Sequence, residues 1–93
     1  MALRFAWDAR KAAENARKHR VTFTEATTVF DDPLSVTIPD PDHSIGEQRL
    51  LLLGISNRGR LLVVAHSERD TTIRIINARR ADRQERQAYE EEE

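Results

Sequence analysis

Three strand-like runs follow one another in the second half of this chain, and they restrict the possible folds more than any other feature. They cover residues 48–56, 60–68 and 72–78, and the connections between them are short, Asn57-Arg58-Gly59 and Arg69-Asp70-Thr71. Gly59 can adopt the positive φ that a tight hairpin needs. Parallel strands need a crossover of a dozen or more residues, so strands joined this closely pair antiparallel. The sequence therefore predicts an antiparallel meander here.

The first third of the chain predicts a short strand and two helices. Residues 3–7 alternate as a strand does, and Asp8 is a candidate N-cap for an alanine-rich helix that runs to about His19. Thr22 and Glu25 have the spacing of a capping box, which predicts the start of the second helix. That helix ends at Asp32-Pro33, because proline disfavours helical geometry in the residue before it.

The remaining segments complete the predicted order β-α-α-β-β-β-β-α. Residues 34–38 alternate as a strand, and residues 39–46 have the composition of a loop. Asp82 and Glu85 form a second capping-box pattern, which opens a terminal helix through about Tyr89.

This order is typical of an α+β domain. With 93 residues the chain is long enough for one core, and we expect a single domain over residues 1–93. The predicted core combines the strand aliphatics with Phe5, Trp7, Val21, Phe23, Val29 and Phe30.

Charge is sorted along the chain although the formal net charge is only −1. Residues 1–20 carry a net +4, residues 21–48 a net −6 and residues 49–86 a net +5, before four terminal glutamates. Such blocks allow a basic surface on a mildly acidic protein. Most of the cations are arginine, which favours bidentate recognition of phosphate or carboxylate.

Several classes of protein are disfavoured. The chain has no Cys, so it has neither disulfides nor thiolate metal sites. Its three histidines are far apart and lack the i,i+4 spacing of a paired metal site, so we expect no metal and no cofactor. The longest apolar run, residues 50–53, is far too short for a bilayer span, and charges within the first eleven residues disfavour a signal peptide. We therefore expect a soluble cytoplasmic protein.

The residues that could carry chemistry lie at the ends of predicted elements. His66 and Glu68 are two apart on one strand, so both side chains point to one face. Arg79-Arg80 ends the last strand, directly before a helix that carries Arg83, Arg86 and Tyr89. A phosphodiester attacked by its own 2′-hydroxyl needs a base, an acid and cations around the developing charge. Glu or His can serve as the base, His or Tyr as the acid, and Arg as the cation, so this chemistry requires no metal.

Each of these residues also has an ordinary structural interpretation. His19 could interact with the helix dipole, and His43 could belong to a polar turn. Glu68 could pair with Arg69 or Arg74 across strands. Arg79-Arg80 could be a solvated strand end, and Tyr89 could anchor its helix to the core.

Over about residues 4–90, the sequence resembles the BrnT family of type II toxins. The matching pattern comprises Phe5-Ala6-Trp7-Asp8, Lys11, Asn15, Lys18-His19, residues 21–26 and 29–33, Asp42-His43-Ser44, Glu47, Arg49, Gly59-Arg60, residues 73–81, Glu85 and Tyr89-Glu90. The resemblance implies a RelE/ParE-like fold and a ribonuclease that blocks translation. It also implies neutralisation by a BrnA-type antitoxin with a ribbon-helix-helix domain, in a complex that can contain a toxin homodimer within a heterotetramer.

The resemblance also suggests roles for individual residues. Arg79 and Arg80 would clamp phosphate, Tyr89 would be an acid or positioning group, and His19 and Glu68 would transfer protons. The candidates for binding RNA are Lys18, Arg74 and Arg83. The nuclease prediction requires the guanidinium groups of residues 74, 79 and 80 to converge on one pocket. If these side chains lie on unrelated surfaces, only the prediction of a toxin-like scaffold survives.

Two positions depart from the family pattern. Arg20 stands where glycine is common, and Asn77 stands where serine is usual. If position 20 needs a positive φ, Arg20 costs about 1 kcal/mol of local strain. The alternative function is a non-enzymatic binding module of the same fold, with the acidic segment 21–48 facing a basic partner.

Overall fold

The computed structural model describes residues 3–40 and 48–91, and its elements follow the predicted order. They are β1 (Arg4–Ala6), α1 (Ala9–His19), α2 (Phe23–Thr28), β2 (Val36–Pro39), β3 (Leu50–Ile55), β4 (Leu61–Arg69), β5 (Thr72–Arg80) and α3 (Arg83–Glu91). A 3-10 turn at Val29–Asp31 continues α2, and the chain turns extended at Asp32, as the following proline predicts. His43 and most of the predicted loop 39–46 lie outside the described residues.

The sheet has the strand order β1-β5-β4-β3-β2. Its strands β2 to β5 pair antiparallel with their neighbours in sequence, which confirms the predicted meander. Strand β1 instead pairs in parallel with β5, with Phe5 opposite Ile73, so the sheet is mixed. Local sequence could not show this pairing, because it joins segments almost 70 residues apart.

Capping explains where the helices begin and end. The Asp8 carboxylate accepts hydrogen bonds from the Arg10 and Lys11 amides, as predicted. The capping box at Asp82 and Glu85 is complete, because each side chain accepts from the other residue's amide, at 2.8 and 2.9 Å.

The C-cap of α1 is left-handed. Arg20 has φ 60° and ψ 31°, the conformation for which glycine is favoured. The suspected strain at this position is therefore present in the fold.

Only half of the other capping box forms. Thr22 caps the Glu25 amide at 3.0 Å, but the Glu25 carboxylate binds Ser56 Oγ and the Arg60 guanidinium. Its side chain is almost fully buried, and the hydrogen bonds from Arg60 are the main reason that its pKa is lowered. Glu25 therefore holds α2 to the β3–β4 hairpin, which a reading of local spacing did not reveal.

Each face of the sheet carries its own apolar cluster. The face under α1 and α2, called the α1/α2 face, buries Val21, Phe23 and Val29 against β4 and β5, with Phe5 and Phe30 partly buried beside them. The opposite face, called the α3 face, packs Leu53, Leu61 and Val63 against Tyr89. Trp7 departs from the predicted core, since it is 38% exposed and touches Phe23 only edge-to-face.

A β-bulge interrupts the pairing of β4 with β5. Ala65 pairs with Asn77, whereas His66 pairs with Ile75, so Ile76 is an extra residue without a register partner. Bulges bend a strand and redirect its side chains, and they are frequent beside active sites.

Helix α1 lies along the edge of β5 beyond the end of β1. Buried Asn15 donates to the carbonyls of Val21 and Ala78, and its own oxygen accepts from the Ala78 amide. The Asn15 side chain thus replaces a neighbouring strand at this edge and fixes the helix beside the bulge.

Candidate active site

A cavity of about 620 Å³ lies between α1 and the α3 face of the sheet. Its lining residues come from α1, from the end of β2, from the start of β3 and from β4 and β5 around the bulge. They are Lys11, Glu14, Asn15, Lys18, His19, Asp40, Arg49, Leu51, Ala65, Ile76, Asn77 and Arg79. This volume is within the range of small-ligand sites.

Helix α1 supplies one wall through a single face. Its five lining residues are Lys11, Glu14, Asn15, Lys18 and His19. Their positions follow i, i+3, i+4, i+7 and i+8, the spacing of one helical face. Because Asn15 is bonded to β5, the charged residues beside it are held over the sheet.

The sheet supplies the floor. Leu51, Ala65 and Asn77 are directly paired across β3, β4 and β5, and the bulge brings Ile76 to the cavity beside them. The Asp40 amide donates to the Arg49 carbonyl at 3.0 Å, which holds these two residues together at the rim.

Among the described residues that line the cavity, cations outnumber carboxylates. Lys11, Lys18, Arg49 and Arg79 stand against Glu14 and Asp40, a net +2 when His19 is counted as uncharged. A concave site with this balance attracts anions.

Arg79 is held in place by a bidentate ion pair. Its two terminal nitrogens donate to the two Glu85 carboxylate oxygens at 2.8 Å each. These hydrogen bonds raise the pKa of Arg79 and lower that of Glu85. Since Glu85 also completes the α3 capping box, the Arg79 side chain is oriented before any ligand binds.

The three predicted guanidinium groups do not converge. Arg79 pairs with Val63 on the α3 face, whereas Arg80 pairs with Leu62, which belongs to the α1/α2 face. Consecutive strand residues point to opposite faces, so the two arginines cannot grip one phosphate together. Arg74 is on the α3 face but lines two smaller depressions instead of the cavity.

His66 and Glu68 share a face, as predicted, with His66 Nε2 3.0 Å from a Glu68 oxygen. That face is the α1/α2 face. His66 is fully buried, and its ring contacts Phe30 edge-to-face. Glu68 pairs with Ile73 of the same core, so the structure does not bring it to the cavity.

Tyr89 is buried against the sheet and anchors α3. Its hydroxyl donates to Asp32 at 2.6 Å, and the Ile55 and Leu34 amides donate to the same carboxylate. Burial raises the pKa of Asp32, but the hydrogen bonds from Tyr89 and the two amides outweigh this effect and lower it. This placement agrees with the alternative interpretation of Tyr89 as a helix-to-core anchor.

The two other predicted RNA-binding residues, Lys18 and Arg83, differ in their relation to the cavity. Lys18 lines the cavity, while Arg83 is exposed in the first turn of α3 and does not line it. Lys11, Glu14, Arg49 and Asn77 were not among the predicted site residues. The helical spacing of positions 11, 14, 18 and 19 was the available signal for the first two, whereas the contribution of Arg49 depends on tertiary contacts.

Neither a metal cluster nor a membrane span is found in the described part of the chain. Residues 3–40 and 48–91 contain no group of three or more His, Asp or Glu side chains that could hold a metal ion. Within the same ranges, no helix has the length and apolar character that crossing a bilayer requires.

Comparisons with known proteins agree with this architecture. The family described as "Ribonuclease toxin, BrnT, of type II toxin-antitoxin system" matches residues 7–85. The crystal structure of the Brucella abortus ribonuclease toxin BrnT superposes with a TM-score of 0.68 at 19% identity, covering 88% of this chain and 100% of that one. A comparison with curated proteins found no match. Because the family match spans most of the chain and the folds agree, the protein belongs to the BrnT family of ribonuclease toxins of type II toxin-antitoxin systems.

Proposed function

We propose that this protein is a metal-independent endoribonuclease that cleaves RNA in the cavity between α1 and the sheet. It would act in the cytoplasm, block translation and be neutralised by a BrnA-type antitoxin. The observation that carries the proposal is the cavity itself, where the described lining residues include an imidazole, two carboxylates and four cations around a space of about 620 Å³.

The proposed reaction is an internal transfer at phosphorus. The 2′-oxygen of one nucleotide attacks the adjacent phosphorus, and the bond from phosphorus to the 5′-oxygen of the next nucleotide breaks. A base removes the 2′-hydroxyl proton, and an acid delivers a proton to the departing 5′-oxygen. The products are a 2′,3′-cyclic phosphate and a 5′-hydroxyl.

His19 is the proposed proton-transfer residue, since it is half-buried and lines the cavity. Glu14 and Asp40 are the carboxylates in the same cavity, and one of them would handle the second proton. His19 and one of these carboxylates would replace the predicted pair of His19 and Glu68, because the Glu68 side chain lies on the opposite face of the sheet.

The cations stabilise the charge that develops on the phosphoryl oxygens. Lys18, Lys11 and Arg49 line the cavity, and within residues 3–40 and 48–91 no carboxylate binds them in the bidentate way that Glu85 binds Arg79. Arg79 would bind phosphate with an orientation that Glu85 sets in advance, a form of electrostatic preorganisation. Arg80 and Tyr89 have no part in this mechanism, because their side chains lie away from the cavity.

The proposed mechanism needs no metal ion, because the side chains perform each of its steps. Side chains exchange both protons, and guanidinium and ammonium groups offset the negative charge. No step requires a Lewis acid.

The test is to incubate the purified chain with RNA in EDTA and to identify the ends of the products. Cyclic phosphate ends support the proposal. Replacing His19 with alanine should lower kcat at least about 100-fold, the usual contribution of an acid or base. Absence of cleavage together with tight antitoxin binding would instead support the non-enzymatic binding module.

Arg79→Ala and Arg80→Ala form a matched pair, since they remove the same group from adjacent positions on opposite faces. We expect Arg79→Ala to relieve growth arrest on induction and Arg80→Ala to leave it intact. Circular dichroism should show both variants folded. Equal effects of the two substitutions would refute the assignment of the cavity as the active site.

A further inference from the structure

The cavity continues into a groove along β5. A narrow depression of about 70 Å³ shares Lys11, Arg49 and Ile76 with the cavity. A third depression of about 280 Å³ shares Arg74 with the second. Because each depression shares at least one lining residue with the next, the three lie in a row along β5, and this row is called the groove.

The far end of this groove has its own pair of cations. Arg69 pairs with Thr72 and Arg74 pairs with Ser67, which makes the two arginines diagonal neighbours on one face of the β4–β5 hairpin. Diagonal neighbours lie about 7–8 Å apart. Both arginines are exposed, and both line the third depression.

The carboxylates along the groove do not cancel these cations. Asp8 lines the second depression, but its carboxylate caps the first turn of α1. Asp70 lines the third depression, where Arg69 and Arg74 outnumber it. Counted over the described residues, the three depressions are lined by six Lys or Arg side chains and four carboxylates, with Glu14 and Asp40 included, so cations are in excess.

The lining contains no aromatic platform for bases. All five Phe, Trp and Tyr residues of the chain are in the described ranges, and none of them lines the three depressions. Base stacking on such rings usually contributes much of the affinity of single-strand binders. Binding along this groove must therefore depend mainly on the backbone phosphates.

The length of the groove suits a short stretch of nucleic acid. Arg79 and Arg74 are five residues apart on β5, which corresponds to about 16 Å. This distance is several times the 3.4 Å between successive phosphates along the axis of a stacked strand, so the two arginines can contact different phosphates of one RNA.

We propose that single-stranded RNA lies along β5, with the cleaved linkage in the cavity and a neighbouring phosphate held by Arg69 and Arg74 in a distal subsite. This inference rests on the proposed ribonuclease function and extends it by naming an extended, sequence-tolerant RNA strand as the substrate. The distal arginines bind and do not take part in the chemistry.

The first test measures binding without cleavage. A fluorescent 2′-O-methyl RNA decamer cannot be cleaved, so its anisotropy reports binding even if the chain has no nuclease activity. Each lost phosphate contact lowers the salt slope of a single strand by about 0.7. The double variant Arg69→Ala, Arg74→Ala, which removes one phosphate contact, should therefore lose about 0.7 in slope and bind about 5-fold more weakly at 0.1 M salt.

The control is Arg10→Ala, Arg17→Ala, which removes the same charge from exposed positions of α1 outside the three depressions. It should weaken decamer binding less than about threefold. Equal weakening in the two double variants would overturn the proposal, because it would show a general effect of net charge.

The second test separates the subsite from the active site. For a cleavable decamer, Arg69→Ala, Arg74→Ala should raise KM and leave kcat within about twofold. For a dinucleotide, which occupies the cavity alone, neither constant should change. Loss of dinucleotide cleavage by this variant would overturn the distal placement, whereas a wild-type chain that binds the decamer but cleaves nothing would refute only the nuclease function.

Discussion

The contact between Asn15 and β5 offers the sharpest test of how this fold builds its site. The Asn15 side chain is 6% exposed and makes three hydrogen bonds to backbone groups of Val21 and Ala78, at 2.8 to 3.1 Å. A typical hydrogen bond adds about 0.5–1.5 kcal/mol to stability, and a buried group left without a partner costs about 1–3 kcal/mol. Asn15→Ala should therefore lower the free energy of unfolding by about 2–4 kcal/mol.

Urea denaturation followed by circular dichroism measures this loss as a lower midpoint at an unchanged m-value. The control is Arg17→Ala on the exposed side of the same helix, which should stay within about 0.5 kcal/mol of wild type. A loss below about 1 kcal/mol for Asn15→Ala would show that α1 is held by other contacts, and the account of the cavity wall would fail.

Asn15→Asp provides a second check with a different signature. Aspartate keeps the acceptor for the Ala78 amide but turns a carboxylate toward two carbonyl oxygens. At pH 7 the loss of stability should be at least as large as for Asn15→Ala. It should shrink as the pH falls toward 4, because a protonated carboxyl group can again donate one hydrogen bond.

Three further predictions concern other parts of the fold. Arg20→Gly should raise the free energy of unfolding by about 0.5–1 kcal/mol, since glycine adopts the left-handed cap without strain, and no gain in thermal midpoint would contradict this. Tyr89→Phe should lower the free energy of unfolding by about 1–3 kcal/mol, because it removes the hydrogen bond to the Asp32 carboxylate. The kcat on RNA should stay within about threefold of wild type. A 100-fold loss of kcat would restore Tyr89 as a catalytic candidate. Folding lowers the pKa values of Glu25 and Asp32 below their ordinary values of 4.5 and 3.8, so the unfolded chain binds protons first as acid is added. The stability that these two carboxylates contribute is present above about pH 5 and is lost below it. The urea midpoint should therefore stay the same between pH 7 and pH 5 and fall between pH 5 and pH 3. In a Glu25→Gln variant, the fall between pH 5 and pH 3 should be smaller.

The second half of the chain could be predicted because its information is local. The hairpin at Asn57-Arg58-Gly59 has Gly59 at φ 75°, and Asp82 and Glu85 form the expected capping box. The left-handed conformation of Arg20, by contrast, was suspected only because the resemblance to the BrnT family puts glycine at this position. For the hairpin and the capping box, the deciding interactions lie within a few residues of one another.

Some errors at the site came from underusing a local rule. The alternation of strand side chains already places Arg79 and Arg80 on opposite faces, so their joint clamp was geometrically excluded. The helical spacing of Lys11, Glu14 and Lys18 equally indicated one shared wall of a site.

Other features had no local signal. Glu25 has the spacing of a capping residue, but it binds Arg60, 35 positions away. Tyr89 binds Asp32 across 57 positions. Such partners compete with local hydrogen bonds only after the sheet has formed.

By itself, the sequence determined the order of elements, the hairpins, most helix ends and the family, because periodicity, turn chemistry and capping act over short distances. Tertiary structure alone decided the parallel pairing of β1 with β5, the face on which each arginine lies, and the groove that joins Lys18 to Arg69. The physical reason is that a charged side chain acquires its surroundings from whichever distant segment packs beside it. A site made of such side chains exists only once α1 is fixed along the edge of β5.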